Sequence, residues 1–267
     1  MVVKRRNLAN RDTAVAAQER HIYGVHPVTA WLRSRPDAVR AISYDPRVGQ
    51  RLAEVLHLAQ SAGIATYPRG DRALAAMAGT GRHQGVVAVC QPFPYADLQT
   101  LVEAAPPLFV VADQLQDPHN LGALLRTAEA VGAGGVILPK DGAAGVTAAV
   151  EIAAAGATAL VPVCRVTNLV RTMRALKRAG YWSVGLVPKA LLSLYEADLP
   201  ARVAVVVGGE AGMRPLVARE CDFAVAIPMQ GRIDSLNASV AAAVTLYELL
   251  RRSTRGCPGE RYSQGLP

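Results

Sequence analysis

Little in this sequence points to a membrane, secreted or metal-binding protein. Its four cysteines show no CxxC or other ligand spacing, so we expect reduced thiols and neither disulfides nor a zinc site. No apolar run reaches the ~18 residues of a membrane-spanning helix, and residues 1–7 lack the apolar stretch of a secretory signal. With 51% hydrophobic and only 19% charged residues, the composition also excludes a disordered chain. These absences predict a soluble, cytoplasmic, folded protein.

The charge that is present is mostly basic. The formal net charge is +8 and the isoelectric point is near 9.6, which suggests a polyanionic partner but also suits many small-molecule enzymes. Residues 1–20 hold five Lys and Arg residues against two acidic ones, without a clear apolar period. This segment is predicted to be a basic arm, either a solvated tail or an RNA contact.

The remaining residues divide into two α/β regions. Residues 21–91 alternate strand and helix patterns in a small domain, and the prolines of residues 92–107 favour a linker. Residues 108–253 repeat the alternation with longer elements, and the Gly- and Pro-containing residues 254–267 are predicted to be a flexible tail. In the larger region, Thr167 is the predicted N-cap of the clearest helix. Strands are predicted there at 108–112, 135–138, 160–163, 181–187, 203–207 and 223–227.

The strand patterns of the larger region indicate a parallel sheet. The run 203–207 is apolar throughout, as is typical of a strand buried on both faces. Residue pattern alone therefore predicts an ordinary doubly wound sheet. A Rossmann dinucleotide enzyme is nevertheless disfavoured, because no GxGxxG follows the first strand of this region.

Three motifs follow predicted strands in this region. The first, DPHNLGALLRTA (117–128), places Asn120 where a helix N-cap belongs, and apolar residues then recur at helical spacing. The second, VVVGGEAGM (205–213), is an apolar strand entering a glycine-rich turn. The third, IPMQGRIDSLNASV (227–240), is a strand end, a loop and the start of a helix predicted at 235–252. Such segments place polar side chains at the carboxyl edge of a sheet, where open α/β folds hold their ligands.

Together, the three motifs resemble those of the SpoU-type RNA 2′-O-ribose methyltransferases of the SPOUT superfamily. Two stretches of the first region, IYGVHPV (22–28) and HQGVVA (83–88), resemble the substrate-binding domain of the subfamily that methylates a guanosine in 23S rRNA. The resemblance implies a parallel-sheet α/β methyltransferase domain with a carboxyl-terminal trefoil knot, preceded by a small α/β RNA-binding domain. It also implies a homodimer, S-adenosylmethionine as methyl donor, and 23S rRNA as partner.

The resemblance also implies roles for eight residues. Donor contacts through the main chain are implied for Gly208, Ile227 and Leu236, and catalytic roles for Asn120, Arg126, Glu210, Ser235 and Asn237. Because arginine stays protonated, Arg126 is implied to hold an RNA phosphate and favour loss of the 2′-hydroxyl proton. Taken singly, an arginine such as Arg126 is more often a solvated helix residue and Asn120 more often a helix cap. Ser235 and Asn237 can likewise be interpreted as helix caps. The turn between Glu210 and Gly212 is one residue shorter than the family pattern.

Other interpretations remain open at this stage. Within the same class, the substrate could be tRNA or another rRNA nucleotide, as in antibiotic-resistance enzymes. In another class, the protein could be a noncatalytic RNA-binding factor in ribosome assembly, although the complete set of matched residues disfavours lost catalysis. No metal ion is expected, because His119 has no cysteine or carboxylate cluster beside it.

Overall fold

The computed structural model describes residues 19–254, and the strands in this part of the chain form two sheets. The predicted basic arm (1–20) and tail (254–267) lie outside the described residues except at their inner ends. Arg20 opens the first strand and Thr254 closes the last helix.

The first sheet is mixed and packs against helices formed by residues 25–78. Its strands are β1 (Arg20–Tyr23), β2 (Val39–Tyr44), β3 (Ala65–Pro68) and β4 (Val86–Cys90), with helices α1 (Val25–Ser34), α2 (Ala53–Ser61) and α3 (Asp71–Ala78). In the order β1-β4-β2-β3, β4 is antiparallel to β1 and β2, and β3 is parallel to β2. Trp31, Ile42 and Val55 are fully buried in its core.

The two motif stretches of the first region stabilise its own fold. His83 is buried, and its Nδ1 accepts a hydrogen bond from the backbone N–H of Gly85 at 3.1 Å. Gln84 has a positive φ of 54° and accepts at its side-chain oxygen from the backbone N–H of Val25, at the start of α1. The HQG turn therefore ties β4 to α1, which gives these residues a structural role.

The proline-containing connection at 92–107 is folded and packed. It contains helix α4 (Leu98–Glu103), whose N-cap Asp97 accepts from the backbone N–H of Thr100. Leu101 is buried beside the second sheet. Phe93 stacks edge-on with Trp31 of the first core and with Tyr95, at ring-centroid distances of 6.1 and 4.9 Å. The connection thus contributes side chains to both cores.

The second sheet is parallel throughout, as the sequence pattern predicts. Its strands are β5 (Leu108–Asp113), β6 (Val136–Pro139), β7 (Val163–Val166), β8 (Trp182–Leu186), β9 (Leu192–Ser193), β10 (Val203–Gly208) and β11 (Phe223–Ala226). Its helices are α5 (Pro118–Ala130), α6 (Ala148–Ala153), α7 (Leu169–Arg178), α8 (Pro215–Arg219) and α9 (Ala238–Thr254). The strand order is β7-β6-β5-β10-β8-β11-β9, with all neighbours parallel.

Both faces of this sheet are buried, which explains its continuously apolar strands. Along β10, Val203, Val205 and Val207 pack with α5, α6 and α9, whereas Ala204 and Val206 pack with α4, α7 and α8. Successive residues of a strand point to opposite faces, so a strand covered on both sides needs apolar residues at every position.

Three local predictions were wrong. Residues 160–162, predicted as part of a strand at 160–163, are not in a strand: a 3-10 helix occupies Ala157–Ala159, and β7 begins at Val163 because Pro162 has no N–H to donate to the ladder. Asn168 caps α7 in place of Thr167, accepting from the backbone N–H of Arg171 at 2.9 Å. The last helix begins at Ala238, three residues later than predicted, because residues 235–237 belong to the preceding loop.

Three of the four cysteines lie in the described part of the chain, as free thiols. Burial raises the pKa of Cys90 to about 12 and that of Cys164 to about 11, so both stay protonated and unreactive at neutral pH. Cys257 lies outside the described residues. Between residues 19 and 254, none of the helices combines the length and apolar character that a membrane crossing needs.

Candidate active site

The first motif forms the turn from β5 into α5. Asp117 is the N-cap, accepting from the backbone N–H of His119 at 2.8 Å, and Pro118 is the first helical residue. The prediction of Asn120 as N-cap was therefore wrong: Asn120 lies inside the first turn of the helix. Its side chain is buried and free to bond elsewhere, because Asp117 already satisfies the helix end.

Hydrogen bonds between side chains join the three motifs. Asn120 donates through Nδ2 to Oε1 of Glu210 at 2.8 Å, and Asn237 donates through Nδ2 to Oδ1 of Asn120 at 2.8 Å. Asn237 also accepts, through Oδ1, from the backbone N–H groups of Ser239 and Val240 at the start of α9. Asn237 is thus both a helix cap and a member of the Asn237–Asn120–Glu210 chain.

The glycines of the second motif allow its turn to fold back on itself. A Cβ added to Gly208 would lie 2.3 Å from the backbone C of Gly212 and 2.4 Å from N of Met213. A Cβ added to Gly209 would lie 2.2 Å from the backbone oxygen of Gln114. Both glycines are therefore required by close backbone approach within the protein. The resemblance had implied only a main-chain donor contact for Gly208.

An ion pair between the buried carboxylate of Asp113 and the partly exposed side chain of Arg214 anchors the same turn to the end of β5. Asp113 is fully buried, and its carboxylate accepts from the backbone N–H of Arg214 at 2.7 Å and from Nε of its guanidinium at 2.8 Å. The backbone oxygen of Asp113 also accepts from the N–H of Gly209 at 2.8 Å. Asp113 thus holds both ends of the short turn that carries Glu210. Sequence reasoning missed this residue, although a carboxylate closing an apolar strand was a detectable signal.

These elements enclose a cavity of about 370 Å³ at the carboxyl ends of β8, β10 and β11. Seven of the eight residues implied by the resemblance line it, and Arg126 alone does not. Sequence reasoning missed the end of β8, where Leu186, Val187 and Pro188 complete the apolar wall. Their position follows from the strand order, which places β8 beside β10 although 16 residues separate them in the chain.

The polar character of the cavity suits a cationic ligand with an apolar portion. Among the residues described, Glu210 and Asp234 are the charged side chains of the lining, and no Lys or Arg lines it. Asp234 lies 3.6 Å from Nζ of Lys189, whereas Glu210 bonds only the neutral Asn120 in the described chain. Leu186, Ile227 and neighbouring apolar side chains form the rest. A site with this charge disfavours di- and triphosphates, which need donors or cations.

Arg126 is placed apart from these residues. It is exposed on α5, six residues beyond Asn120 and about 9 Å further along the helix axis. It forms no ion pair with any residue between 19 and 254. Within one chain, the structure does not bring Arg126 to the cavity.

No group of three or more His, Cys, Asp and Glu residues within 19–254 is arranged to hold a metal ion. The cavity residues also lack histidine and cysteine. Among the described residues, the polar groups that line the cavity are amide, hydroxyl, carboxylate and backbone groups.

Two family models match the chain in succession. Residues 107–247 match the SpoU rRNA Methylase family, and residues 21–96 match a domain described as RNA 2′-O ribose methyltransferase substrate binding. The boundary between the two models falls within the folded connection that carries α4.

Similar proteins cover most of the chain. A 23S rRNA (guanosine-2′-O-)-methyltransferase RlmB of Ralstonia nicotianae is 42% identical over 236 residues, which are 86% of this chain and 95% of that protein. A putative TrmH family tRNA/rRNA methyltransferase, YacO of Bacillus subtilis, is 39% identical over 89% of this chain and 98% of its own length. The crystal structure of the SpoU methyltransferase AviRb from Streptomyces viridochromogenes with AdoMet has a TM-score of 0.77 at 27% identity, covering 93% and 96% of the two chains.

Proposed function

We propose that this chain, which belongs to the SpoU rRNA methylase family, methylates the ribose 2′-hydroxyl of a guanosine in 23S rRNA. S-adenosylmethionine is its methyl donor. The observation that carries the proposal is the Asn237–Asn120–Glu210 chain of hydrogen bonds at the cavity, which unites the three motifs in one site. The 42% identity with a protein named for this reaction supports the choice of substrate.

The cavity fits the donor in size and charge. Its volume of about 370 Å³ lies within the range of ~300–1,000 Å³ expected for small-molecule sites. Gly208, Ile227 and Leu236 line it and would hold the donor through their main-chain groups. Glu210 would face its positive charge. When bound, S-adenosylmethionine supplies an activated methyl group, so the protein's contribution is orientation and electrostatics.

The polar residues would orient the ribose and stabilise charge. Asn120 is fixed on both sides, by Glu210 and Asn237, so its amide is pre-oriented before any ligand arrives. Ser235 lies exposed at the cavity edge, where its hydroxyl can meet RNA. Arg126 would bind a phosphate of the RNA and favour loss of the 2′-hydroxyl proton through its charge. Because it lies outside the cavity, the RNA or a second chain must connect the two.

The finer features of the architecture belong to the same proposal. The separate RNA-binding domain at 21–91 is supported by its own sheet and core. The trefoil knot is proposed from the family resemblance; α9 lies against the connection from β8 to β10, where Arg252 donates to the backbone oxygens of Leu194 and Ala197. A homodimer is supported by Val240 and Tyr247, both about half exposed and seven residues apart on one face of α9. A cytoplasmic location accords with an rRNA substrate.

In vitro methylation tests the function directly. The protein is incubated with S-adenosylmethionine carrying a labelled methyl group and with 23S rRNA transcripts, and 2′-O-methylated positions are mapped by resistance to alkaline hydrolysis. We expect one guanosine to be labelled, and an Asn120→Ala variant to bind donor yet label little. Labelling of tRNA alone, or of a base, would overturn the assignment. Donor-independent RNA binding without labelling would instead favour the noncatalytic assembly factor.

A further inference from the structure

A fully buried carboxylate lies between the two sheets. Glu151, in α6, accepts hydrogen bonds from Nη1 of Arg20 at 2.5 Å, from Nε1 of Trp31 at 3.1 Å and from the hydroxyl of Thr158. We call the first sheet with its helices the first unit, and the second sheet with its helices the second unit. Arg20 belongs to β1 and Trp31 to α1, so two of the three donors come from the first unit. We call Glu151, Arg20, Trp31 and Thr158 the Glu151 cluster.

Two aromatic rings lie close to the cation of the cluster. The Arg20 guanidinium lies 4.3 Å from the centroid of a Trp31 ring and 5.1 Å from that of Phe93. Burial raises the pKa of Glu151, and the charge of Arg20 opposes that shift. A buried carboxylate with donors from two units specifies one arrangement of them, because displacement leaves a buried polar group unpaired.

Beside the cluster, the backbone around Gly156 packs closely against α1. Gly156 has a φ of 98°, and a Cβ added there would lie 2.6 Å from Cβ of Ala30 and 3.4 Å from the backbone oxygen of His26. Helix α1 therefore rests directly on the chain around Gly156. Ala159 of the second unit is buried in the hydrophobic core of the first. The two units thus share a packed interface.

The same helix that carries Glu151 packs against the helix of the first motif. A Cβ added to Gly122, in α5, would lie 2.3 Å from Cβ of Ala153 and 2.9 Å from the backbone N of Ala154. The glycine of the first motif is therefore required by contact between α5 and α6. Asn120 lies two residues earlier in α5 and lines the cavity. A continuous packed path runs from the first unit through α6 and α5 to the site.

We propose that the Glu151 cluster fixes the distance and direction between the RNA-binding unit and the cavity, and so determines which ribose of the bound RNA is methylated. This inference rests on the proposed function, because it needs the first unit to grip RNA. Glu151, Arg20 and Trp31 act as positioning residues, since the RNA touches none of them in this mechanism.

The test loosens the cluster without touching the cavity. Glu151→Gln keeps the volume and removes the ion pair, and Arg20→Gln removes its cation. Glu129→Gln, on the exposed side of α5, is the matched control. Donor affinity is measured by calorimetry, the separation of the units by small-angle X-ray scattering, and methylated positions by mapping on 23S rRNA.

For both cluster variants we expect a donor affinity within about twofold of wild type, since the cavity is intact. We also expect a larger radius of gyration in small-angle X-ray scattering. Because a misplacement of 1 Å can cost about 10²-fold in rate, kcat/KM at the target ribose should fall by at least about tenfold, with methyl groups appearing at neighbouring riboses. The double variant should be no worse than Glu151→Gln alone, because the two residues act as one unit.

Unchanged kcat/KM and an unchanged methylation map in Glu151→Gln would overturn the proposal. If that variant loses donor binding by unfolding, Trp31→Phe decides, since it removes the indole N–H donor and keeps a smaller aromatic ring in the core. Wild-type selectivity in both would overturn the inference. Failure of the wild-type enzyme to methylate any RNA would defeat the proposed function instead, while scattering would still report whether the cluster holds the units together.

Discussion

Replacing Gly208 by alanine should weaken donor binding by deforming the second-motif turn. The added Cβ would lie 2.3 Å from the backbone C of Gly212 and 2.4 Å from N of Met213. Both contacts are with backbone atoms, which cannot rotate away as a side chain can. The turn must therefore open, and Glu210, two residues along it, must move with it.

The structure sets the size of the effect. The contacts are roughly 1 Å shorter than ordinary van der Waals separation. Overpacking of this kind costs about 1–3 kcal/mol of stability, and a shift of ~1 Å in a site can cost about 10²-fold. Because Glu210 bonds Asn120 at 2.8 Å, the same movement breaks that hydrogen bond. We expect the Kd for S-adenosylmethionine to rise at least about tenfold, together with a lower Tm.

Gly231→Ala is the matched control, because it makes the same change in the third-motif loop where nothing lies within 4 Å of the new Cβ. Calorimetry gives the donor Kd and thermal unfolding gives the Tm of each variant. A Gly208→Ala protein with wild-type affinity and wild-type Tm would refute the reasoning. An equal loss in Gly231→Ala would show that any change near the cavity has the same effect.

Three further predictions address other parts of the molecule. Arg126→Ala should lower single-turnover methylation by about 10²-fold with unchanged donor affinity, and normal turnover would restore its interpretation as a solvated residue. Asp113→Ala should reduce the free energy of unfolding by about 1–3 kcal/mol, because the N–H of Arg214 loses its acceptor. Urea unfolding should show a smaller loss of this free energy for Asp113→Asn, and an equal loss in the two variants would contradict the prediction. Hydrogen bonds from Arg251 and the nearby cations lower the pKa of Glu248 from 4.5 to about 2, so its stabilisation is present above pH 4.5 and lost as the pH falls toward 2. Urea unfolding at about pH 5 and about pH 3 should show a smaller acid loss in Glu248→Gln than in wild type.

Sequence pattern predicts the fold best where burial requires one type of residue at every position. The run 203–207 needs apolar residues at each position because both faces of β10 are covered, and that demand is visible in one dimension. Helix and strand ends are less visible, because several polar residues near an end can serve as cap. Asp117 and Asn168 cap their helices where the pattern favoured Asn120 and Thr167. Asn237 caps α9, although the pattern placed it inside that helix.

Most of the polar residues that line the cavity belong to the three motifs, but the contacts that hold them in place could not be predicted from the sequence. Glu210 and Asn237 lie 27 positions apart in the chain, and only folding shows that Asn120 bridges them. The resemblance implies a donor contact for Gly208, yet Gly208 is also required by its own turn. Gly122 of the first motif is required by contact with α6. Glu151 carries no motif, because its partners come from residues about 120 and 131 positions away.

The placement of Arg126 bears on the proposed homodimer. Asn120, Glu210 and Asn237 already meet at the cavity of a single chain. Arg126 is the residue of the implied set that does not reach this cavity within one chain. Helix α5, which carries it, packs against α9, whose Val240 and Tyr247 stay about half exposed. The missing cation and the uncovered apolar face therefore lie on neighbouring helices. Pairing of two chains through α9 would cover that face and bring a second surface beside Arg126, so Tyr247→Glu should lower both dimerisation and turnover while donor affinity per chain changes less.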